Sequence, residues 1–69
     1  MREELRRRRL AAGLSQKQLA GILGCSRENY CKIERGINKG SMKMWLSIQK
    51  ALSIEPADIL YIIAEGEEA

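Results

Sequence analysis

Between Ser15 and Gly36 the chain reads SQKQLAGILGCSRENYCKIERG, and its side chains separate by chemistry along a helical period. After Ser26, Tyr30 and Ile33 fall on one side, while Arg27, Glu28, Cys31 and Lys32 fall on the other. The second side carries guanidinium, carboxylate and ammonium groups, which suit base edges and phosphate oxygens. Covalent chemistry has less to work with. The chain has no histidine, no glycine-rich phosphate loop and no clustered carboxylate pair, so an enzyme is the least supported class. Cys25 and Cys31 point apart around a helix start and lack the C-x-x-C spacing of a metal or redox site. Two free thiols, no metal and no cofactor are expected.

The elements that must position this face can be read from caps and glycines. Ser15 caps a helix, and Gln18 three residues on completes a capping box. Leu19, Ala20 and Leu23 form its buried side. Gly24 makes a tight turn, Cys25 fills a small apolar position, and Ser26 caps a further helix that runs to about Arg35 and ends at Gly36. Two short helices around a tight turn, the second with a polar free face, fit the major groove of DNA. Before them, a first helix spans about Arg2 to Ala12, with Leu5, Arg9 and Ala12 on one face and Gly13 at its end. After them, Ser41 caps a fourth helix on which Met42, Trp45, Ile48, Gln49 and Leu52 share a mostly core face. Trp45 reads there as a core filler rather than a ligand-stacking residue. Pro56 opens a fifth helix, with Asp58 favourable in its first turn. Gly21, inside the second helix, costs on the order of 1 kcal/mol relative to alanine without an evident purpose. The expectation is an all-α, five-helix fold in one domain over residues 1–69, with a frayed acidic tail at 65–69.

The net charge of +3 conceals a division. Residues 1–50 hold all 12 Lys and Arg against four acids, a balance of +8, and residues 51–69 hold five acids and no base. A polyanion is drawn to the first part and repelled by the second. The Arg6–Arg9 run is either a solvated face or a source of one more phosphate contact. The charged N-terminus does not read as a signal peptide, and no apolar run approaches a membrane span.

Several pieces together carry a family resemblance: Gly13-Leu14-Ser15-Gln16, Leu19-Ala20, Leu23-Gly24, Ser26-Arg27, Ile33-Glu34-Arg35-Gly36, Ala51-Leu52 and Ile59-Leu60. Each alone is weak. The ungapped set over residues 5–63 resembles the Cro/C1-type (XRE-like, phage-repressor-like) helix-turn-helix family. The resemblance implies a lambda-repressor-like fold of five helices that binds operator DNA, usually as a symmetric dimer. It implies base contacts from Arg27, Glu28, Cys31 and Lys32. Arg27 would clamp guanine, and Glu28 would accept from cytosine or instead orient Arg27. Cys31 would touch a thymine methyl or simply be a tolerated small residue, and Lys32 would reach guanine or a phosphate. Gln16, Asn29, Arg35, Asn38, Lys39, Gly40 and Ser41 match phosphate-contacting positions, and Gln16 has the independent support of opening a helix N-terminus. Arg9 and Glu34 match a structural ion pair. The family's usual valine is replaced by Cys25, and Tyr30 stands where a smaller aliphatic is common, so its hydroxyl must reach the edge or find a partner.

The function these readings favour is a sequence-specific transcriptional regulator, a repressor acting on double-stranded DNA by occupancy and without a small-molecule ligand; the resemblance implies a bacterial or phage-encoded protein of the cytoplasm. Tyr61, Ile62 and Ile63 are the candidate homodimer interface, or else they close the core. A second class is an antitoxin-like or adaptor protein whose main ligand is a protein. Cys31 beside Arg27 and Lys32 is also a candidate redox sensor.

Overall fold

The computed structural model describes residues 1–66, and among these the regular elements are helices: α1 (Glu3–Ala11), α2 (Gln16–Leu23), α3 (Arg27–Glu34), α4 (Met42–Leu52) and α5 (Pro56–Glu65). Their starts follow from local chemistry. Ser15, Ser26 and Ser41 each accept a backbone N–H three residues on, at 3.0–3.1 Å. At α2 the Gln18 side chain returns the bond to the Ser15 N–H at 2.8 Å, closing the capping box. The α2–α3 turn needs Gly24, whose φ of 75° lies in the left-handed region. Its compactness is fixed by the Cys25 N–H donating to the Ala20 carbonyl at 3.0 Å.

α2 and α3 pack on each other. α4 supports α2, α1 supports α3, and α5 closes the far side against α1 and α4. Leu5, Leu19, Ala20, Tyr30, Ile33, Trp45, Ile48, Ile54, Ile59 and Ile62 form the buried core, one or more from every helix. This is the all-α helix-turn-helix fold expected. No helix among the described residues is long and apolar enough to cross a membrane.

Several expectations need correction. Arg2 does not open α1: it precedes the helix and is fully buried. Ala12 caps α1 as an exposed residue rather than joining Leu5 and Arg9. Met42 is 81% exposed, because the first residue of α4 lies on the rim of a surface groove instead of over the core. Ile62 cannot serve a dimer interface, since it is fully buried in the core. Glu65 is not part of a frayed tail. It ends α5, and its carboxylate accepts the Glu4 N–H at 3.0 Å, giving α1 the N-terminal cap that no neighbouring side chain supplies. The rest of that expected tail, residues 67–69, lies outside the described residues. Gly21 has open space where a Cβ would stand, so nothing among the described residues explains it.

Candidate nucleic-acid interface

The face begins at the N-terminus of α2. The capping box occupies the Gln18 N–H and leaves the first-turn N–H groups of Gln16 and Lys17 pointing outward, where a helix favours an anion. Gln16 and Lys17 share one concave surface with Ser15 and Arg27, so the starts of α2 and α3 face the same partner. Sequence reading missed Lys17. Its signal was its place beside Gln16 in an uncapped first turn.

On α3, Tyr30, Ile33 and Glu34 are buried, while Arg27, Glu28, Asn29 and Lys32 are exposed and Cys31 is half-buried. The half-burial of Cys31 leaves it at the edge of the presented face. Arg35 follows as the exposed C-cap. Asn29, Asn38, Gly40 and Ser41 line a second concave surface between α3 and α4. Lys39 stands exposed beside it. Gly40 needs a correction as a phosphate donor: its N–H already donates to Asn38 Oδ1 at 2.9 Å. Glycine is required there for two other reasons. Its φ is 74°, and a Cβ would lie 2.8 Å from Trp45 Nε1. Trp45 does more than fill the core, since its Nε1–H donates to the Lys39 carbonyl at 2.7 Å. An indole N–H in a core needs such a partner, and that need was the available sequence signal.

Charge is distributed to match. On α1, Arg8 bonds both Glu4 and Asp58 at 3.1 Å, Arg6 and Arg7 lie within 4 Å of Glu3 and Glu4, and Arg9 is buried against Glu34. By contrast Lys17, Arg27, Lys32, Arg35 and Lys39 make no ion pair among the described residues. The α1 run is thus a neutralised face, while α2, α3 and the loop after it carry five uncommitted cations; Lys43 and Lys50 on α4 are likewise unpaired among the described residues.

Behind the face, Arg9 Nε and Nη2 hold both Glu34 carboxylate oxygens at 2.9 and 3.1 Å, and Arg9 Nη1 donates to the Leu14 carbonyl at 2.8 Å. This bidentate pair ties α1 to α3 and to the turn before α2. Burial by itself raises the Glu34 carboxyl. That burial is the largest single effect, but Arg9, Tyr30 and Gln16 together outweigh it, and the net pKa falls below the ordinary 4.5. Tyr30 shows the opposite balance. Burial first, and then the interaction with Glu34, push its phenol well above its usual value. Its fully buried hydroxyl does not reach the edge; it lies near enough to Glu34 to interact with that carboxylate, without a well-formed hydrogen bond among the described residues.

The Glu34 shift has a pH consequence. The folded state binds fewer protons than the unfolded one, so the pair's stabilisation is complete above the ordinary 4.5 and is lost as pH falls through the lower folded value. The urea midpoint is expected to drop as pH falls below the ordinary 4.5, with a shallower drop in Glu34→Gln. An equal drop in both proteins would assign the acid sensitivity to other carboxylates.

Among the described residues no group of His, Cys, Asp and Glu could hold a metal ion, and both cysteines are free thiols. No curated protein and no solved structure matches the chain. The helix-turn-helix domain family matches residues 1–59, which contain the capping box, the Gly24 turn, all of α3 and the loop to α4. By that match over most of its length, the chain belongs to the helix-turn-helix domain family.

Proposed function

We propose that this protein is a sequence-specific transcriptional regulator of Cro/C1 type, a non-catalytic cytoplasmic repressor that places α3 in the major groove of a pseudo-palindromic operator. The observation that carries this reading is the contrast in charge pairing. The arginines of α1 are neutralised by neighbouring acids, whereas the cations of α2, α3 and the following loop are exposed without a protein partner among the described residues. Fixed positive groups around a polar helix supply both the counterion-release affinity and the base readout of DNA binding.

The labour divides along this face. Arg27→Ala is expected to weaken binding to the preferred site by about 1–3 kcal/mol and to relax one base position. Lys39→Ala is expected to weaken all duplexes alike and reduce the salt slope by about 0.9. Equilibrium titrations on selected and random duplexes separate the two, and identical behaviour of both variants on both duplexes would refute the division.

A homodimer completes the reading, because one recognition helix buries too little surface for tight specific binding. The molecule measures 28 × 23 × 21 Å, so two copies in direct contact can present their α3 helices about 34 Å apart, one turn of DNA. Of the candidates on α5, Tyr61 is exposed and Ile63 half-buried. Ile63 also lines an apolar groove between α4 and α5 with Met42, Leu46 and Leu60, all three exposed. Lys43 and Lys50 on α4 and Glu55 before α5 are exposed charges of opposite sign near this face, which suits a self-complementary contact. The same groove supports the second reading, an adaptor that takes an amphipathic helix of another protein.

Selection of sites from a random duplex library tests the proposal. Enrichment of a short inverted repeat with half-sites one helical turn apart is the expected result. Absence of any enriched sequence would overturn the regulator and direct attention to a protein ligand, sought by pull-down.

A further inference from the structure

The phosphate-contacting positions after α3 sit on a loop, and loops are ordinarily mobile. A loop that must be ordered on binding loses affinity to that ordering, whereas one held beforehand does not. Here two consecutive carbonyls of the loop are held from beneath. Arg2 Nη1 donates to the Asn38 carbonyl at 2.9 Å and also to that of Ile33, at the end of α3. Trp45 Nε1 donates to the Lys39 carbonyl at 2.7 Å. The two donors brace each other, with the Arg2 guanidinium carbon 5.0 Å from the Trp45 ring centroid, a cation–π distance. Gly40 lies so close over the indole that no side chain fits. Neither Arg2 nor Trp45 can touch DNA, being 0% and 5% exposed. Arg2 Nη1 and Trp45 Nε1 are nonetheless spent on the backbone that carries Lys39 and leads to Ser41, while Arg2 Nε and Nη2 anchor the guanidinium to the Ile63 carbonyl of α5.

We infer that Trp45, braced by Arg2, is a positioning residue for DNA binding: it fixes the 36–41 loop relative to α3 so that Lys39 meets a phosphate while α3 occupies the groove. This rests on the DNA-binding reading above. Arg2 links the loop to the end of the recognition helix, and Trp45 links it to α4, so register between loop and helix is set before DNA arrives.

The test is a double-mutant cycle on a random-sequence duplex, read as the salt dependence of affinity. Trp45→Phe keeps an aromatic ring against Arg2 and removes the N–H donor together with part of the ring volume. It is expected to stay helical by circular dichroism, to bind several-fold more weakly and to lose about 0.9 from the salt slope, the signature of one phosphate contact. Lys39→Ala is expected to lose the same amount. The double variant should lose no more than either alone, because both changes remove one contact. Arg2→Lys, which keeps the charge but not the fork of donors, provides a second variant with the same expected non-additivity should Trp45→Phe fail to fold. Additive losses, or a wild-type slope in Trp45→Phe where Lys39→Ala is impaired, would overturn the positioning role while leaving the DNA-binding reading intact. A wild-type slope in Lys39→Ala itself would overturn both the loop contact and the positioning.

Discussion

Glu34→Ala is expected to destabilise the protein by about 3–5 kcal/mol, because it strands the Arg9 guanidinium in the interior. Arg9 and Glu34 are 6% and 1% exposed, and each satisfies the other through two hydrogen bonds. The magnitude decides the phenotype. A chain of 69 residues has a total stability on the order of 3–10 kcal/mol, so this loss consumes much or all of it. Arg9→Ala should cost a similar amount and additionally frees the Leu14 carbonyl. Removing both charges in Arg9→Met/Glu34→Leu should recover most of the loss, since a buried pair replaced by apolar groups of similar volume is often nearly neutral. Urea unfolding of the three variants reads this directly. A double variant as unstable as the singles would show that the Leu14 bond and the geometry of the turn, rather than the stranded charge, dominate.

Arg2→Ala is expected to cost about 3 kcal/mol, for a related reason reached by another route. The guanidinium donates to the carbonyls of Ile33, Asn38 and Ile63, and the backbone N–H of the same residue donates to the Glu34 carbonyl at 2.8 Å. Truncation takes the guanidinium from the Asn38 and Ile63 carbonyls and leaves a cavity against Trp45, while the Ile33 carbonyl keeps the Gly36 N–H; each buried group left without a donor costs about 1–3 kcal/mol. At about 4–8 °C per kcal/mol for a domain of this size, the melting temperature should fall by roughly 12–24 °C. A fall of only a degree or two in a calorimetric scan would mean that water or the remaining chain replaces the guanidinium without loss.

The two predictions differ in how far they were legible beforehand. Arg9 and Glu34 were identifiable because a resemblance spaced them, and the structure places them in bidentate contact across 25 residues. Arg2 gave no signal. It stands outside the helical period of α1, and an arginine near a chain start ordinarily reads as a solvated charge. The same limit explains Ile62 and Met42. Periodicity names the apolar side of a helix but not which of its residues the neighbours cover, so it leaves Ile62 open between an interface and the core, where packing buries it, and puts Met42 on a mostly core face, where packing leaves it exposed.

By itself the sequence determined the local grammar of this protein: three serine caps, the capping box at Ser15 and Gln18, the Gly24 turn, the polar side of α3 and the separation of charge along the chain. Each is settled by groups within a few residues of one another, where covalent geometry leaves few choices. Only the tertiary structure decided that Arg8 reaches Asp58, that Glu65 caps α1, and that Arg2 joins Trp45 in holding the loop that carries Lys39. Those contacts join groups 31 to 61 residues apart in the chain, by a packing that no local spacing encodes, whereas the remaining α1 pairs with Glu3 and Glu4 are one helical turn apart.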